Sequence, residues 1–249
     1  MKGIIFLIFI LAMNTAAQQP ASTETAAQRL ETWKQSRAAL YMDEFGELGR
    51  YREANAKLAP PAAGEKRVVF FGDSITDGWE LAKYFPGKPY VNRGISAQTT
   101  SQMLVRFRQD VIELQPKAVV ILAGTNDIAG NSGPIALPDI EANLASMTDL
   151  AKAHHIAVVL SSVTPVHDFT AESKDFFAMR PQSEILELNA WTRNYCAENG
   201  CVYLDYFSAM VDKDGMMKRE LADDGLHPNP TGYAVMVPLV NAAIEKALK

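Results

Sequence analysis

The sequence is short of the residues that mark several classes of protein. Its 249 residues include only two cysteines and four histidines, and its 24 basic residues are outnumbered by 29 acidic ones. A net charge of −5 and a pI near 5.4 argue against nucleic acid as a partner. No histidine or further cysteine lies at ligand spacing near the cysteine pair, so a metal site is not expected. We expect no cofactor of any kind.

A hydrophobic run long enough to cross a membrane is also missing near the N-terminus. The run Gly3–Met13 has eleven residues, whereas a membrane-spanning helix needs about 20. A lysine precedes the run and small residues follow it, which is typical of a signal peptide. We therefore predict a signal peptide over Met1–Ala17 and a mature chain that begins near Gln18. We expect export to the periplasm or the medium, with no stable membrane anchor.

The two cysteines, Cys196 and Cys201, are five positions apart. An exported protein can form a disulfide between them, and a loop that short would add about 2 kcal/mol of stability on the chain-entropy estimate. Two free buried thiols fit the sequence equally well. Both interpretations stay open at this point.

Five short runs rich in β-branched residues alternate with helical patterns over residues 67–249, which is typical of βαβ units and a parallel sheet. The predicted strands are Arg67–Phe71, Tyr90–Asn92, Ala118–Ala123, Ile156–Ser161 and Cys201–Leu204. The predicted helices are Ser101–Leu114, Ile140–His154, Ser183–Asn199 and Thr231–Leu248. Ligands of such sheets bind outside the carboxyl ends of the strands. That edge is where we expect the functional site.

Residues 18–66 form a predicted N-terminal extension. Thr23–Leu58 has the apolar spacing of one or two helices, and the linker Pro60–Gly64 ends them. An arm packed on the α/β body is one interpretation of this segment. A cap near the functional site or a dimer contact is the other, and the oligomeric state is equally open.

Ser74 lies where the first predicted strand runs into a tight turn. Gly72 allows the backbone to turn there, and Ser74 then stands near the positive end of the following helix. By itself, this position favours an ordinary helix N-cap over a nucleophile.

A second segment, Asp224 followed three residues later by His227, favours the nucleophile. At this spacing the carboxylate can accept a hydrogen bond from the imidazole Nδ1–H, which leaves Nε2 free to deprotonate a hydroxyl. We predict Ser74, Asp224 and His227 as a catalytic triad. Asp223 is the alternative carboxylate, should the loop bend differently.

Hydrolysis by such a triad also needs donors for the negative charge that develops on the substrate carbonyl. Gly94 and Asn126 each follow a predicted strand, and with the Ser74 N–H they form the predicted oxyanion hole. A plain turn glycine and an Asx turn are the structural alternatives for these two residues. We expect Asp127 to brace the Asn126 loop rather than to touch substrate.

Four short segments together resemble the GDSL/SGNH hydrolase superfamily: Gly72-Asp73-Ser74, Asn92-x-Gly94, Gly124-x-Asn126-Asp127 and Asp224-x-x-His227. Its name-giving Ser, Gly, Asn and His match Ser74, Gly94, Asn126 and His227, in the expected order and spacing. The resemblance spans about Arg67 to Lys249, the predicted hydrolase domain. It implies a flavodoxin-like three-layer α/β/α fold with five parallel strands, and metal-free ester hydrolysis through an acyl-enzyme. The segment before Arg67 lies outside the common family core.

Substrate choice depends on loops that vary within such a family. His167 follows the fourth predicted strand and is a candidate substrate-binding residue. We expect a small-molecule or glycan ester as substrate, most simply a short acyl ester such as an acetyl group on a polysaccharide. A lysophospholipase or thioesterase with a longer acyl pocket is one alternative. A carbohydrate-binding protein without turnover is the other.

Overall fold

Residues 26–249 are described by the computed structural model, and the predicted signal peptide lies outside them. The strands are β1 (Val68–Gly72), β2 (Tyr90–Gly94), β3 (Ala118–Leu122), β4 (Ala157–Ser161) and β5 (Val202–Leu204). They form a single sheet in the order β2-β1-β3-β4-β5, and every pairing is parallel. This order is flavodoxin-like, with its topological switch point between β1 and β3. The predicted fold class is confirmed.

The described helices surround this sheet. In chain order they are α1 (Ala26–Glu44), α2 (Arg52–Lys57), α3 (Ser74–Asp77), α4 (Leu81–Tyr84), α5 (Thr100–Asp110), α6 (Thr125–Ile128), α7 (Leu137–Ala153), α8 (Ala171–Ala178), α9 (Gln182–Asn199), α10 (Phe207–Met210) and α11 (Pro230–Ala247). Short 3-10 turns cover Ile112–Leu114 and Arg219–Leu221. The predicted helix Ser101–Leu114 is therefore two elements, because the backbone leaves the helical conformation at Val111.

The two faces of the sheet support separate apolar layers. Successive side chains of a strand point to opposite faces, so Phe71 packs with α5, α7 and α9, and its neighbour Phe70 packs with α11. Both rings are almost completely buried. Burial of each large apolar side chain contributes about 1.5–3 kcal/mol. The helices on both faces therefore fix the sheet, and with it the strand ends that carry the site.

The N-terminal extension reaches the carboxyl edge of the sheet. The Tyr51 hydroxyl donates a hydrogen bond to the Gly94 carbonyl, and Gln98 Nε2 donates to the Gly46 carbonyl at 3.1 Å. At the other end of α1, Arg29 Nε is 2.9 Å from Asp175 Oδ2 in α8. The extension thus contacts the end of β2, the segment before α5, and α8.

The cysteines form a disulfide bond between the end of α9 and the start of β5. The Cα atoms of Cys196 and Cys201 are 4.5 Å apart, and the alternative of two free thiols is wrong. Within residues 26–249, no helix is long and apolar enough to span a bilayer.

Candidate active site

Ser74 is the first residue of α3, immediately after β1. The preceding residue, Asp73, is the N-cap, and its Oδ1 accepts the Ile75 N–H at 3.0 Å. The interpretation of Ser74 as the N-cap is therefore wrong. Its side chain points elsewhere, and Oγ is 2.9 Å from His227 Nε2.

Gly72 is required at the end of β1 by close packing. A Cβ at this position would lie 2.3 Å from Thr76 Oγ1 and 2.6 Å from the Leu122 carbonyl oxygen. Both distances are far inside van der Waals contact, and the second contact is with backbone. The glycine thus brings α3 close to β1 and β3, which places Ser74 at the switch point.

His227 lies in the loop before α11 and is oriented by Asp224. Its Nδ1 is 2.6 Å from Asp224 Oδ2, and Asp224 Oδ1 accepts the backbone N–H groups of Leu226 and His227 at 2.9 and 2.8 Å. Partial burial opposes ionisation of Asp224, but these hydrogen bonds outweigh it and lower its pKa to about 2. The ionised carboxylate accepts a hydrogen bond from Nδ1–H. In this tautomer Nε2 carries no proton and faces Ser74 as an acceptor.

The neighbouring carboxylate has a different partner. Asp223 Oδ1 accepts a hydrogen bond from Asn229 Nδ2 at 2.9 Å. Asn229 is the N-cap of α11, so Asp223 supports the start of that helix. Of the two aspartates that the sequence offered, Asp224 is the one in contact with His227.

The three predicted oxyanion donors differ in whether their N–H groups already donate hydrogen bonds within the protein. The Ser74 N–H donates no hydrogen bond within residues 26–249. Asn126 Nδ2 donates one hydrogen bond, to the Gln98 carbonyl at 3.1 Å, and keeps a second N–H. The Gly94 N–H donates to Asn92 Oδ1 at 2.8 Å.

Gly94 has a packing role that the sequence did not reveal. A Cβ there would lie 2.1 Å from the Asp77 backbone nitrogen and 2.6 Å from the Thr76 carbonyl carbon. The absence of a side chain therefore permits contact between β2 and α3.

The Asn126 loop is held by buried polar contacts. Asp127 accepts the Thr100 N–H at 2.9 Å and the Thr100 hydroxyl at 2.5 Å, so it braces the loop as expected. Burial raises the pKa of Asp127 to about 6, although the Thr100 hydrogen bonds oppose the shift. Burial likewise raises the pKa of Asp73 to about 6, against the Ile75 hydrogen bond and the charges of His227 and Arg180.

His167 is placed beside the triad loop through its backbone. Its N–H donates to the Gly225 carbonyl at 2.8 Å, while its Nδ1 accepts the Asp168 N–H at 2.7 Å. The ring packs on Phe169, with centroids 4.8 Å apart. The ring that lies against His227 of the triad is that of Phe176. It is edge-on to the imidazole, and the two ring centroids are 6.1 Å apart.

Sequence reasoning missed several residues that hold the site. Arg180, Asn131 and Asn92 contact the predicted oxyanion donors, and Tyr51 contacts the Gly94 carbonyl. Asn92 lies in the Asn-x-Gly segment, two positions before Gly94, and this spacing could have predicted its contact with the Gly94 N–H. Asn131 is only five positions from Asn126, but it lies outside the segments that the sequence singled out. The Arg180 and Tyr51 contacts join residues 54 and 43 positions apart, and no short spacing pattern predicts them.

Two of the concavities on the described surface lie away from these residues. One of 340 Å³ is lined by residues of α9 and β5, including Arg193 and Tyr203. Another, of 620 Å³, is lined by residues around the start of α7, including Asp139 and Asn143. The triad itself is accessible, since the side chains of His227 and Asp224 are 38% and 31% exposed.

An α/β/α sandwich with a Ser–His–Asp contact at its switch point is typical of serine hydrolases. A comparison of the sequence with protein families agrees with this class. The GDSL-like lipase/acylhydrolase family model matches residues 70–235. This match covers more than half of the chain, and the chain belongs to that family.

Solved structures give the same result. The chain is 42% identical to a GDSL-like lipase from Bacteroides thetaiotaomicron, with a TM-score of 0.76 over 82% of this chain and 100% of that one. A Bacteroides fragilis structure is also 42% identical, with a TM-score of 0.75 over 82% and 98% of the two chains. Among curated proteins, the uncharacterised lipoprotein YqeF of Bacillus subtilis is 27% identical over 151 residues. That match spans 53% of this chain and 62% of YqeF.

Proposed function

We propose that the protein is a serine hydrolase that cleaves short-chain carboxylic esters through an acyl-enzyme, with acetyl esters on carbohydrates as the preferred substrates. The observation that carries the proposal is the continuous contact from Ser74 Oγ to His227 Nε2 and from His227 Nδ1 to Asp224. A hydroxyl, a base and an orienting carboxylate in this sequence of contacts are the parts of an activated nucleophile.

In the first half of the reaction, Ser74 Oγ attacks the ester carbonyl carbon while His227 Nε2 takes the hydroxyl proton. The carbonyl oxygen becomes an oxyanion, to which the Ser74 N–H and the free Asn126 N–H donate. The Gly94 N–H joins them by exchanging Asn92 Oδ1 for the substrate oxygen. His227 then gives its proton to the departing alkoxide, and the C–O bond breaks to leave acyl-Ser74 and the alcohol.

The second half repeats these steps with water as the nucleophile. His227 takes a proton from water as the water oxygen attacks the acyl carbon. The tetrahedral intermediate collapses, Ser74 Oγ recovers the proton from His227, and the carboxylic acid is released. Asp224 stays ionised throughout, because its pKa of about 2 keeps it available to stabilise the imidazolium.

The surroundings of the triad support a short acyl group on a polar carrier. Solvent reaches both His227 and Asp224, so the site is open to a bulky hydrophilic substrate. Among the side chains that the structure describes, the large apolar ones that are exposed are Met42, Phe45, Val105 and Leu186. They lie in or beside α1, α5 and α9, outside the loops that carry the triad. An apolar rim for aggregated lipid is therefore not formed by these side chains.

We also propose that the protein acts outside the cytoplasm. The predicted signal peptide, Met1–Ala17, is the basis of this proposal, and the relative YqeF is itself named a lipoprotein. Mass spectrometry of the protein from an expressing bacterium tests the proposal. A mature N-terminus near Gln18 in the periplasmic or medium fraction would support it, and an intact Met1 in the cytoplasm would contradict it.

Hydrolysis of p-nitrophenyl acetate and p-nitrophenyl decanoate by the wild type and Ser74→Ala tests the chemistry. We expect activity that disappears in the variant, and a preference for acetate. Preference for decanoate would favour a lysophospholipase or thioesterase. Wild-type protein that binds glycans but hydrolyses none of the esters would overturn the enzyme proposal. Release of acetate from acetylated xylan and acetylated pectin fragments then distinguishes the polysaccharides.

A further inference from the structure

Arg180 is a buried cation beside the candidate oxyanion hole. It follows α8, and its side chain makes three hydrogen bonds: Nε donates to Thr125 Oγ1 at 2.9 Å, Nη1 to the Phe176 carbonyl at 3.2 Å and Nη2 to Asn126 Oδ1 at 3.3 Å. The guanidinium also lies 5.7 Å from the centroid of the Phe176 ring. Only 3% of the residue is exposed. Within residues 26–249, no carboxylate forms an ion pair with it.

A buried guanidinium without a paired carboxylate is costly to maintain. Apolar residues would fill the same volume without this cost, so its position needs an explanation. All three of its hydrogen bonds go to neutral oxygens, and two of these oxygens belong to the adjacent residues Thr125 and Asn126. The guanidinium is therefore directed at the start of α6, where the oxyanion donor lies.

The Asn126 amide has two orientations, related by a rotation of its terminal group, and only one of them is useful for catalysis. In the observed orientation Oδ1 accepts from Arg180 and from Asn131 Nδ2, the latter at 2.9 Å, while Nδ2 donates to the Gln98 carbonyl. Rotation would turn an NH₂ group toward two other donors and an oxygen toward a carbonyl. All three contacts would be lost. The surroundings therefore select the orientation that leaves an N–H free.

We propose that Arg180 is a positioning residue that fixes the Asn126 side chain as an oxyanion donor, an inference that rests on the proposed ester hydrolysis. Burial lowers the pKa of Arg180 to about 10, against the charges of Asp73 and Asp224. The guanidinium is protonated, and a donor, throughout the neutral range. It cannot exchange its donor role for an acceptor role, as a neutral amide in the same place could.

The same residue joins the donor to the segment that packs on the base. Arg180 Nη1 donates to the carbonyl of Phe176, whose ring lies edge-on to His227. The Arg180 side chain thus connects α8, which contains Phe176, to α6, which contains Asn126. A change at Arg180 should therefore alter the oxyanion donor without removing any member of the triad.

A double-mutant cycle with Arg180→Met and Asn126→Ala tests the inference. Met keeps an unbranched apolar stem and removes the donors. We expect Arg180→Met to lower kcat about 10- to 100-fold, less than the ~10²–10³ for loss of the donor itself, with KM changed less than threefold. In the Asn126→Ala background the same substitution should lower kcat less than threefold further. An equal loss in both backgrounds, or no loss in the wild-type background, would overturn the inference.

Matched variants separate positioning from a general effect on folding. Arg67→Met removes another buried arginine, which donates to the Leu114 and Ala59 carbonyls away from the site, and we expect its kcat to be that of the wild type. If Arg180→Met does not fold, Asn131→Ala removes the second donor to Asn126 Oδ1. It should lower kcat in the wild-type background only. Equal losses in both backgrounds would again refute the inference.

A readout that does not depend on turnover keeps this inference separable from the proposed function. In protein labelled with ¹⁵N-asparagine, the side-chain NH₂ signals of Asn126 are assigned by their loss in Asn126→Ala. We expect two distinct, sharp signals in the wild type and in Arg67→Met, and shifted or exchange-broadened signals in Arg180→Met. Unchanged signals would refute the positioning role. Wild-type protein without esterase activity would instead refute the proposed function.

Discussion

Replacement of Asp224 by Asn tests how the candidate triad is oriented. The side-chain oxygen of Asn can still accept the Leu226 and His227 backbone N–H groups that Asp224 Oδ1 accepts. Its NH₂ group then takes the place of Oδ2, opposite His227 Nδ1. An NH₂ group only donates, so Nδ1 must become the acceptor and Nε2 must carry the proton. His227 would then offer Ser74 a proton instead of accepting one.

The size of the effect follows from that tautomer. We expect Asp224→Asn to lower kcat about 10⁴-fold, which corresponds to about 5.4 kcal/mol of transition-state stabilisation. KM should change little, because Asp224 faces His227. Asp224→Ala leaves Nδ1 without a competing donor, so we expect a loss about 10²-fold smaller than that of His227→Ala. Initial rates with p-nitrophenyl acetate at several substrate concentrations give kcat and KM separately.

Asp223→Asn is the matched control, because Asp223 stands next in the same loop and bonds to Asn229. It should retain the activity of the wild type. An Asp224→Asn variant within tenfold of the wild type would refute the tautomer argument. Equal activity of Asp224→Ala and the wild type, with loss in Asp223→Ala, would refute the assignment of the triad.

The same carboxylate links stability to pH. The pKa of Asp224 is about 2 in the folded protein, against 3.8 for an unperturbed aspartate. The unfolded chain therefore binds the proton more readily, and the contribution of Asp224 to stability is present above about pH 4 and is lost as the pH falls through about 2. We expect the difference in urea midpoint between the wild type and Asp224→Asn to shrink from pH 5 to pH 3. A constant difference would contradict the hydrogen-bond assignment.

Three further substitutions probe the donors and the supports of the site. Asn126→Ala should lower kcat about 10²–10³-fold with KM nearly unchanged, and an equal rise in KM would show that Asn126 binds the ground state instead. Tyr51→Phe removes the hydroxyl that donates to the Gly94 carbonyl and should reduce the free energy of unfolding by about 1 kcal/mol in urea titrations. Cys201→Ser opens the disulfide with Cys196 and should cost about 2 kcal/mol, a loss that wild type treated with reductant should match.

The strands were predictable where their own residues carried the signal. In β3, Ala118–Leu122, all five residues are buried, so the strand is a continuous apolar run that predicts a strand covered on both faces. In β2 the last two residues are Arg93 and Gly94, which have no strand preference of their own. They are extended because they pair with Phe71 and Gly72 of β1, and that pairing depends on the tertiary fold.

The contacts of the candidate site likewise include some that local spacing predicts and others that depend on the tertiary fold. The contact between Asp224 and His227 was predictable, because three positions of a turn bring the two side chains together. The contact from Arg180 to Asn126 spans 54 positions, and that from Tyr51 to Gly94 spans 43. Neither has a local spacing, and a single arginine or tyrosine in a helical region more commonly serves the surface or the core.

Buried arginines at the carboxyl edge of the sheet satisfy carbonyls that the strands leave unpaired. Arg106 is fully buried, and it donates to the Gly72 carbonyl at 3.1 Å, to the Arg93 carbonyl at 2.9 Å and to Gln98 Oε1 at 2.6 Å. A carbonyl at the end of a strand has no N–H partner where the neighbouring strand has already ended, and apolar side chains cannot supply a donor. A guanidinium has five donors in a fixed plane and can satisfy several carbonyls together.

One consequence of this arrangement concerns the oxyanion hole. Arg106 fixes the side chain of Gln98, the backbone carbonyl of Gln98 accepts from Asn126 Nδ2, and Arg180 holds the opposite side of the same amide. A donor assists catalysis most when it does not have to reorient as negative charge develops. Arg180 contacts the Asn126 oxygen directly, whereas Arg106 contacts Gln98, the residue whose carbonyl accepts from Asn126 Nδ2. Arg106 is paired with the buried carboxylate of Asp110 at 3.1 Å, so of these two charges the one that is buried without an ion pair among the described residues is that of Arg180. We interpret its cost as the cost of a donor that is already in place before the substrate arrives.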